Sequence, residues 1–212
     1  MSTNLPSPRV FLVLVALATL AHGQTTSGKY NAVIQGAPVT QNLGASVVNL
    51  TLAAGDNLII TPGYLYITGT SITNDGTITV GDGNGLFIDG TTTATLSGSG
   101  KVILTDSTVR FCGGDGNAAL ISDQTIQGQG SLGLGMNLTN NSTIKATGGT
   151  LSVVPNNLVN NGVMEAAGGG TLEIGNYYSG TNTNGVIKAL DGRMVLLDGA
   201  CTAGTLTTVK AA

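Results

Sequence analysis

Eleven carboxylates are the side chains of this chain best suited to acid–base chemistry. A glycosidase or polysaccharide lyase would need two of them about 5 to 10 Å apart across a sugar bond. The acids instead occur singly, near turns, and no two are adjacent in sequence. They are Asp56, Asp75, Asp82, Asp89, Asp106, Asp115, Asp123, Glu165, Glu173, Asp191 and Asp198. We therefore expect no catalytic residue, and a polysaccharide-active enzyme is an alternative, not the favoured function.

Histidine is nearly absent from the chain. The single histidine, His22, lies near the N-terminus. Without another, the rest of the chain cannot form a Ser-His-Asp or Cys-His catalytic group or a histidine-based metal site. The segment GQGSLG (128 to 133) matches the dinucleotide pattern G-x-G-x-x-G, but that pattern requires a following helix, and Leu134 and Gly135 lead into another strand. We expect no cofactor.

Two GDGN segments, at 81 to 84 and 114 to 117, are close to a calcium-binding nonapeptide. The second has Ala118 where that motif requires an aspartate. We favour glycine turns in which Asp and Asn side chains cap the local backbone, and we expect no metal site. The alternative is one weak calcium site, formed by Asp82, Asn84 and Asp89 or by Asp115 and Asn117.

The elements that would position these side chains belong to a tandem repeat. The segment NNSTIKATGGTLSV (140 to 153) returns as NNGVMEAAGGGTLEI (160 to 174) and more loosely as NGVIKALDGRMVLL (184 to 197). A unit of about twenty residues without helical signal is typical of a β-solenoid, in which each coil stacks on the previous one. The chain is therefore predicted to be an all-β parallel β-helix with coils of about 20 residues.

Weaker copies extend the repeat to at least residues 72 to 198. NDGTITV (74 to 80) aligns with NNSTIKA at a shift of sixty-six residues, about three coils. ATLSGSGKVIL (94 to 104) is aligned with QTIQGQGSLGL (124 to 134), with paired glycines between apolar strands. Thr77-x-Thr79 fits the threonine pattern of an ice-binding solenoid only once, so ice binding is a further alternative.

Alternation of apolar and polar residues predicts which side chains face the core. The predicted inward residues are Ile78, Val80, Leu86, Ile88, Ile144, Ala146, Leu151, Val153, Met164, Ala166, Leu172, Ile174, Ile187, Ala189, Met194 and Leu196. Lys145, Glu165 and Lys188 fall at one outward position in three consecutive coils, an order of charges that attracts weakly. Stacked amide ladders are predicted for Asn140, Asn141, Asn160, Asn161 and Asn184.

The N-terminal segment is typical of a secretory signal. Arg9 precedes the short apolar run VFLVLVALATLA (10 to 21), and the small residues Ala21 and Gly23 fit signal cleavage. No later stretch is long and apolar enough to span a bilayer. The predicted domains are 1–23, a signal peptide; 24–45, an N-terminal cap or lead-in; and 46–212, the parallel β-helix, which we expect to be truncated or uncapped at its C-terminus.

Charge and cysteine content bear on the partners. A net charge of −3 and a sequence pI of about 4.8 disfavour nucleic acid, which requires clustered Lys and Arg. Cys112 and Cys201 lie roughly four coils apart, about 19 Å at the spacing of stacked strands, which is too far for an intrachain disulfide. We expect buried free thiols, with an intermolecular bridge through Cys201 as the alternative. The uncharged final strand (205 to 209) is expected to support self-association.

The repeat units resemble those of filamentous-haemagglutinin-like and autotransporter passenger proteins, on the segments NNGVMEAAGGGTLEI, NNSTIKATGGTLSV, GSGKVIL and GQGSLGL. The resemblance covers about 60% of the chain. It implies a right-handed parallel β-helix, adhesion to host cells, biofilm partners or surfaces, and no catalytic residue. We therefore expect an exported structural or adhesive element, secreted or at the cell surface, in the outer membrane layer if the source is Gram-negative.

Overall fold

A computed structural model describes residues 12–15, 31–36, 38–114, 117–191, 193–202 and 204–209. Within these ranges the chain is all-β and has no helix. Its strands stack in parallel as a β-solenoid of about 8 turns, with roughly 21 residues per coil. The predicted parallel β-helix is confirmed.

The strands of the described residues are β1 (Leu12–Val15), β2 (Ala32–Gln35), β3 (Val39–Gln41), β4 (Gly44–Val47), β5 (Leu50–Leu52), β6 (Asn57–Ile60), β7 (Tyr64–Ile67), β8 (Ser71–Asn74), β9 (Thr77–Val80), β10 (Gly85–Ile88), β11 (Thr93–Ser97), β12 (Lys101–Leu104), β13 (Arg110–Gly113), β14 (Ala118–Ser122), β15 (Thr125–Leu132), β16 (Met136–Asn140), β17 (Thr143–Val153), β18 (Asn157–Asn160), β19 (Val163–Ala166), β20 (Thr171–Thr181), β21 (Val186–Leu190), β22 (Met194–Thr202) and β23 (Thr205–Val209).

Three parallel ladders make the sides of the solenoid. The first ladder runs through β1, β2, β5, β8, β11, β14, β16, β18 and the C-terminal parts of β20 and β22. The second runs through β3, β6, β9, β12, the first parts of β15 and β17, then β19, β21 and β23. The third runs through β4, β7, β10, β13, the later parts of β15 and β17, and the first parts of β20 and β22. Each coil therefore has three strands.

One inward position of the second ladder shows how the core forms. Ile78 pairs with Val102, Val102 with Ile126, Ile126 with Ile144, and the column continues through Met164 and Ile187. All six side chains are buried. Residues 78 and 144 are thus three coils apart, as the sixty-six-residue shift predicted. Each side chain buries its apolar surface against the coils above and below, which is the main stabilising contribution of a solenoid.

The predicted inward residues are buried, except Met194 and Leu196 in the second strand of the last copy. There the prediction was one residue out of register, because Val195 and Leu197 pair with Leu172 and Ile174. Met194 points outward and is 50% exposed, and Leu196 is also exposed. The sequence MVLL is apolar at four successive positions, so alternation fits either register.

The alignment of residues 94–104 with 124–134 was also wrong. Lys101 pairs with Thr125, whereas Ala94 to Ser97 lie on the first ladder. The paired glycines therefore occupy different corners. A Cβ on Gly128 would lie 1.9 Å from the Leu104 carbonyl oxygen, so this corner admits only glycine, and its φ of +121° agrees. Gly-x-Gly meets the needs of any corner, so its spacing does not identify which corner it occupies.

The ladders extend to residues before 46, because β2, β3 and β4 pair with β5, β6 and β7. Leu12–Val15, inside the predicted signal peptide, pairs with Ala32–Gln35. The rest of that segment, and its cleavage site, lie outside the described residues. The signal peptide stays a prediction.

Candidate functional site

The outward face of the third ladder carries a cluster of aromatic side chains, Tyr64, Tyr66 and Phe87, which we call the aromatic platform. Tyr64 and Tyr66 alternate with inward residues on β7, and Phe87 is the direct partner of Tyr66 on β10. The Tyr66 and Phe87 rings stack, with centroids 5.0 Å apart and planes 19° apart. The Tyr64 ring is tilted by 56° to Phe87 at 5.8 Å. Offset and tilted arrangements are those that aromatic pairs prefer.

Glycine at two neighbouring positions makes room for the aromatic platform. Tyr64 lies between Gly44 and Gly85 in its row across the ladder. A Cβ on Gly85 would lie 2.1 Å from the Phe87 ring, so the ring covers this glycine. A Cβ on Gly44 would have no heavy atom within 4 Å, which leaves open space on the other side of Tyr64. Tyr64 consequently stays 45% exposed on a rigid sheet.

Charged groups flank the aromatic platform on the same side of the solenoid. Arg110 is exposed and pairs in register with Gly85. It therefore lies one coil, about 4.8 Å along the axis, beyond the strand that carries Phe87. The two ion pairs of the described residues both use Glu165, so neither engages Arg110. Asp82 and Asp106 stand at the corner that leads into β10 and β13. The Asp106 carboxylate accepts a bond of 2.8 Å from the Asp82 amide, which ties these two coils together.

A polar groove of about 490 Å³ lies elsewhere, over the corner between the first and second ladders. Asp56, Asp75, Lys101 and Gln127 are among its lining residues. Stacking thus brings together carboxylates that are well separated in sequence, and alternation along the chain did not predict this grouping. The Asp75 carboxylate accepts bonds from the Ser99 backbone amide (2.8 Å) and hydroxyl (3.0 Å), and these lower its pKa.

Three carboxyl groups of the described residues, those of Asp75, Asp106 and Glu165, have a lowered pKa and therefore favour the ionised form. A bond from the Thr108 hydroxyl, at 2.5 Å, is the main cause of the lowered pKa of Asp106. Burial alone would raise the pKa of Glu165, but bonds from Lys188 and Lys145 outweigh it and lower the pKa. A glycosidase needs one carboxylic acid with a raised pKa as proton donor. Asp75, Asp106 and Glu165 do not supply it.

The predicted row of alternating charges, Lys145, Glu165 and Lys188, is present on the second ladder, and we call it the charge row. Glu165 pairs in register with Lys145 and Lys188, and its carboxylate lies 3.1 and 3.0 Å from their ammonium groups. The position was expected to be solvent-facing, but the Glu165 side chain is only 10% exposed. The two lysine side chains cover it.

The predicted amide ladders form at the corner between the first and second ladders. Asn140 donates to Asn160 at 2.7 Å, and Asn160 donates to Asn182 at 2.5 Å, all three being buried. The third copy therefore uses Asn182, not the predicted Asn184. An outer ladder joins Asn161 to Asn141 at 2.9 Å and is exposed. These amides satisfy one another and the local backbone, so they are structural.

The first GDGN segment forms the expected capped turn. Asn84 accepts a bond from the Gly63 amide of the preceding coil at 2.6 Å and donates to the Asp82 carbonyl at 2.9 Å. Asp82 accepts a bond from the Thr61 hydroxyl. Asp115, of the second segment, lies outside the described residues. No group of three or more metal-ligating side chains occurs in the part of the chain that the structure describes.

The two cysteines are in different surroundings. Cys112 is a buried free thiol, as predicted, and burial raises its pKa. The Cys201 backbone pairs with Gly180 in the first ladder, while its side chain lies outside the described residues. An intermolecular bridge through Cys201 stays a prediction.

No protein-family model, curated protein or solved structure matches the chain. The resemblance to exported adhesin repeats therefore stays a likeness of sequence motifs. Where residues are described, no helix has the length and apolar character that a membrane span requires.

The aromatic platform was not predicted from the sequence. A signal was available, because Tyr66 and Phe87 are 21 residues apart, one coil, in the related segments GYLYIT and GLFID. Only eight aromatic residues occur in the chain, and three of them meet here.

Proposed function

We propose that the protein is an exported structural and adhesive solenoid, secreted or held at the cell surface, that binds its target through an extended face. The aromatic platform carries this proposal. A large exposed aromatic such as Tyr64 on a paired strand offers contact area at low conformational-entropy cost, because two torsions define the side chain and the sheet holds its backbone. Aromatic side chains are enriched at binding interfaces for this reason.

The face formed by the second ladder differs from the aromatic platform in its chemistry, and this contrast supports the same proposal. The outward side of the second ladder carries threonines, lysines paired with Glu165, and aliphatic side chains such as Ile103 and Val163, and its described strands have no aromatic residue. Its Thr77 and Thr79 are followed in register by Lys101 and Ile103. The threonine array that ice binding needs is thus interrupted on the next coil.

Retention on surfaces tests the function. The purified full chain would be applied to glass, polystyrene, fixed bacterial cells and animal cells, and the amount retained after washing measured. We expect retention on at least one of these surfaces, and a loss of at least severalfold in Tyr64→Ala. Thr79→Ala, on the second ladder, is the matched control and should keep full retention. Equal retention of both variants would contradict binding through the third-ladder face.

The enzymatic alternative has its own test. Incubation of the chain with pectin, alginate and other acidic glycans should give no new reducing ends and no shortening of the polymer. Depolymerisation that Asp75→Asn abolishes would replace the adhesive function with an enzymatic one located in the polar groove.

A further inference from the structure

The shape and chemistry of the aromatic platform indicate the class of its ligand. A pyranose ring has one face of C–H groups surrounded by hydroxyls. The electron-rich faces of aromatic rings attract such polarised C–H groups, and Tyr64 and Tyr66 add hydroxyls that both donate and accept hydrogen bonds. The neighbouring Gly44 keeps the approach to Tyr64 open. A flat sugar fits this surface better than a branched aliphatic side chain, which would need a pocket.

Charge on either side of the aromatic platform narrows the class further. Arg110 is exposed, has no carboxylate partner among the described residues, and lies two coils from Tyr64, or about 10 Å along the axis. This distance is about the length of two linked sugars. A guanidinium is the group best suited to bind a carboxylate through two parallel hydrogen bonds.

The carboxylates at the adjacent corner limit how acidic the ligand can be. Asp82 and Asp106 accept hydrogen bonds and suit sugar hydroxyls, but they repel a chain that carries a carboxylate on every unit. The net charge of −3 acts in the same direction. A ligand with a single carboxylate brings only one negative charge near these aspartates, and Arg110 can neutralise it.

We propose that the aromatic platform and Arg110 together bind a glycan that is neutral except for one carboxylate-bearing sugar, such as a terminal sialic acid. The neutral sugar lies against Tyr64 and Phe87, and the acidic sugar extends one coil further to Arg110. This inference rests on the proposed adhesive function and names its ligand class.

Calorimetric titration of the full chain with 3′-sialyllactose, lactose and trigalacturonate tests the proposal. We expect 3′-sialyllactose to bind about tenfold more tightly than lactose, the value of one charge-assisted hydrogen-bond pair, and trigalacturonate to bind no better than lactose. The preference for 3′-sialyllactose should shrink at high salt because Arg110 is exposed.

Variants separate the two parts of the site. Arg110→Gln should remove the tenfold preference and leave lactose binding unchanged, whereas Arg193→Gln, the same change at another exposed arginine, should alter neither. Tyr64→Ala should weaken both ligands roughly threefold to tenfold. Gly44→Glu fills the open space beside Tyr64, three coils or about 14 Å along the axis from Arg110, and should weaken both ligands to a similar extent. Melting curves of each variant would confirm that the solenoid is folded.

Three outcomes would overturn the proposal. They are equal binding of 3′-sialyllactose and lactose by the unaltered chain, an unchanged preference in Arg110→Gln, and tightest binding to trigalacturonate. If no sugar binds but Tyr64→Ala still loses surface retention, the glycan proposal is wrong and the adhesive function stands, with a protein or abiotic surface as ligand. If neither sugars nor surfaces respond to Tyr64→Ala, both proposals are wrong.

Discussion

Met164 and Leu206 occupy the same inward position of the second ladder, joined in register through Ile187, yet their surroundings differ completely. Met164, in an interior coil, is 0% exposed, whereas Leu206, in the last described strand, is 64% exposed. Leu197 on the third ladder, in register with buried Ile174, is exposed in the same way. Burial in this solenoid thus comes from the coils on both sides and not from the position alone.

The largest expected effect is that of a charge in the interior coil. Met164→Asp should prevent cooperative folding, because an unpaired buried carboxylate costs several kcal/mol, much of the stability of a domain. Leu206→Asp should change the free energy of unfolding by about 1 kcal/mol or less, because its side chain already contacts water. Urea denaturation of both variants measures this, and equal losses would show that the last strand is as well covered as the interior.

A second comparison sets buried amides against exposed ones one residue away. Asn160→Ala should lower the free energy of unfolding by about 1–3 kcal/mol, since it leaves Asn140 and Asn182 without their partner in the interior. Asn161→Ala removes a bond of similar length at the surface and should cost at most about 0.5 kcal/mol. Similar urea midpoints for the two variants would argue against a structural role for the inner ladder.

The charge row predicts a smaller, pH-dependent effect. The Glu165 pKa is lower in the folded chain, so its stabilisation is fully present above the ordinary value of 4.5 and disappears as pH falls through the folded value. Glu165→Gln should cost about 1 kcal/mol at pH 7, and the difference from the unaltered chain should vanish in acid. Melting temperatures between pH 3 and 7 measure this. A constant difference would show that packing, and not charge, is responsible.

Leu206→Asp has a small expected effect on stability, and the same variant tests self-association. The expected self-association through the C-terminal end stays a prediction, and the exposed apolar residues Leu197 and Leu206 would be its contact surface. Light scattering after size exclusion should show a mass that rises with concentration in the unaltered chain and stays monomeric in Leu206→Asp. A monomer at every concentration would mean that another part of the protein covers these residues. Repeating the measurement with reductant would distinguish a disulfide through Cys201 from apolar contact, because reductant breaks only the disulfide.

Much of the fold could be predicted because the repeat, its length and the inward residues follow from short-range alternation. Ile144, Met164 and Ile187 are inward for reasons visible within five residues of each. The strand of each coil that lies on the first ladder was missed, because its segments, such as NLTN and NLVN, have at most two apolar residues and end in asparagine.

The aromatic platform could not be predicted with the same ease. It depends on which residues of different coils become neighbours, and coil lengths vary at the corners. Phe87 stacks on Tyr66 only because β7 and β10 pair in one particular register. Likewise, Glu165 is covered because two lysines from other coils reach it. Register between coils was the missing information.

The direction of the ladders has a mechanical consequence. The backbone hydrogen bonds between coils run along the solenoid axis, so a force that pulls the two ends apart loads them one coil at a time. Releasing one coil of roughly 21 residues lets out about 70 Å of extended chain in place of about 4.8 Å of stacked height. Under tension the protein would lengthen in steps and dissipate work at each step. The coils that remain stacked would keep their binding face intact.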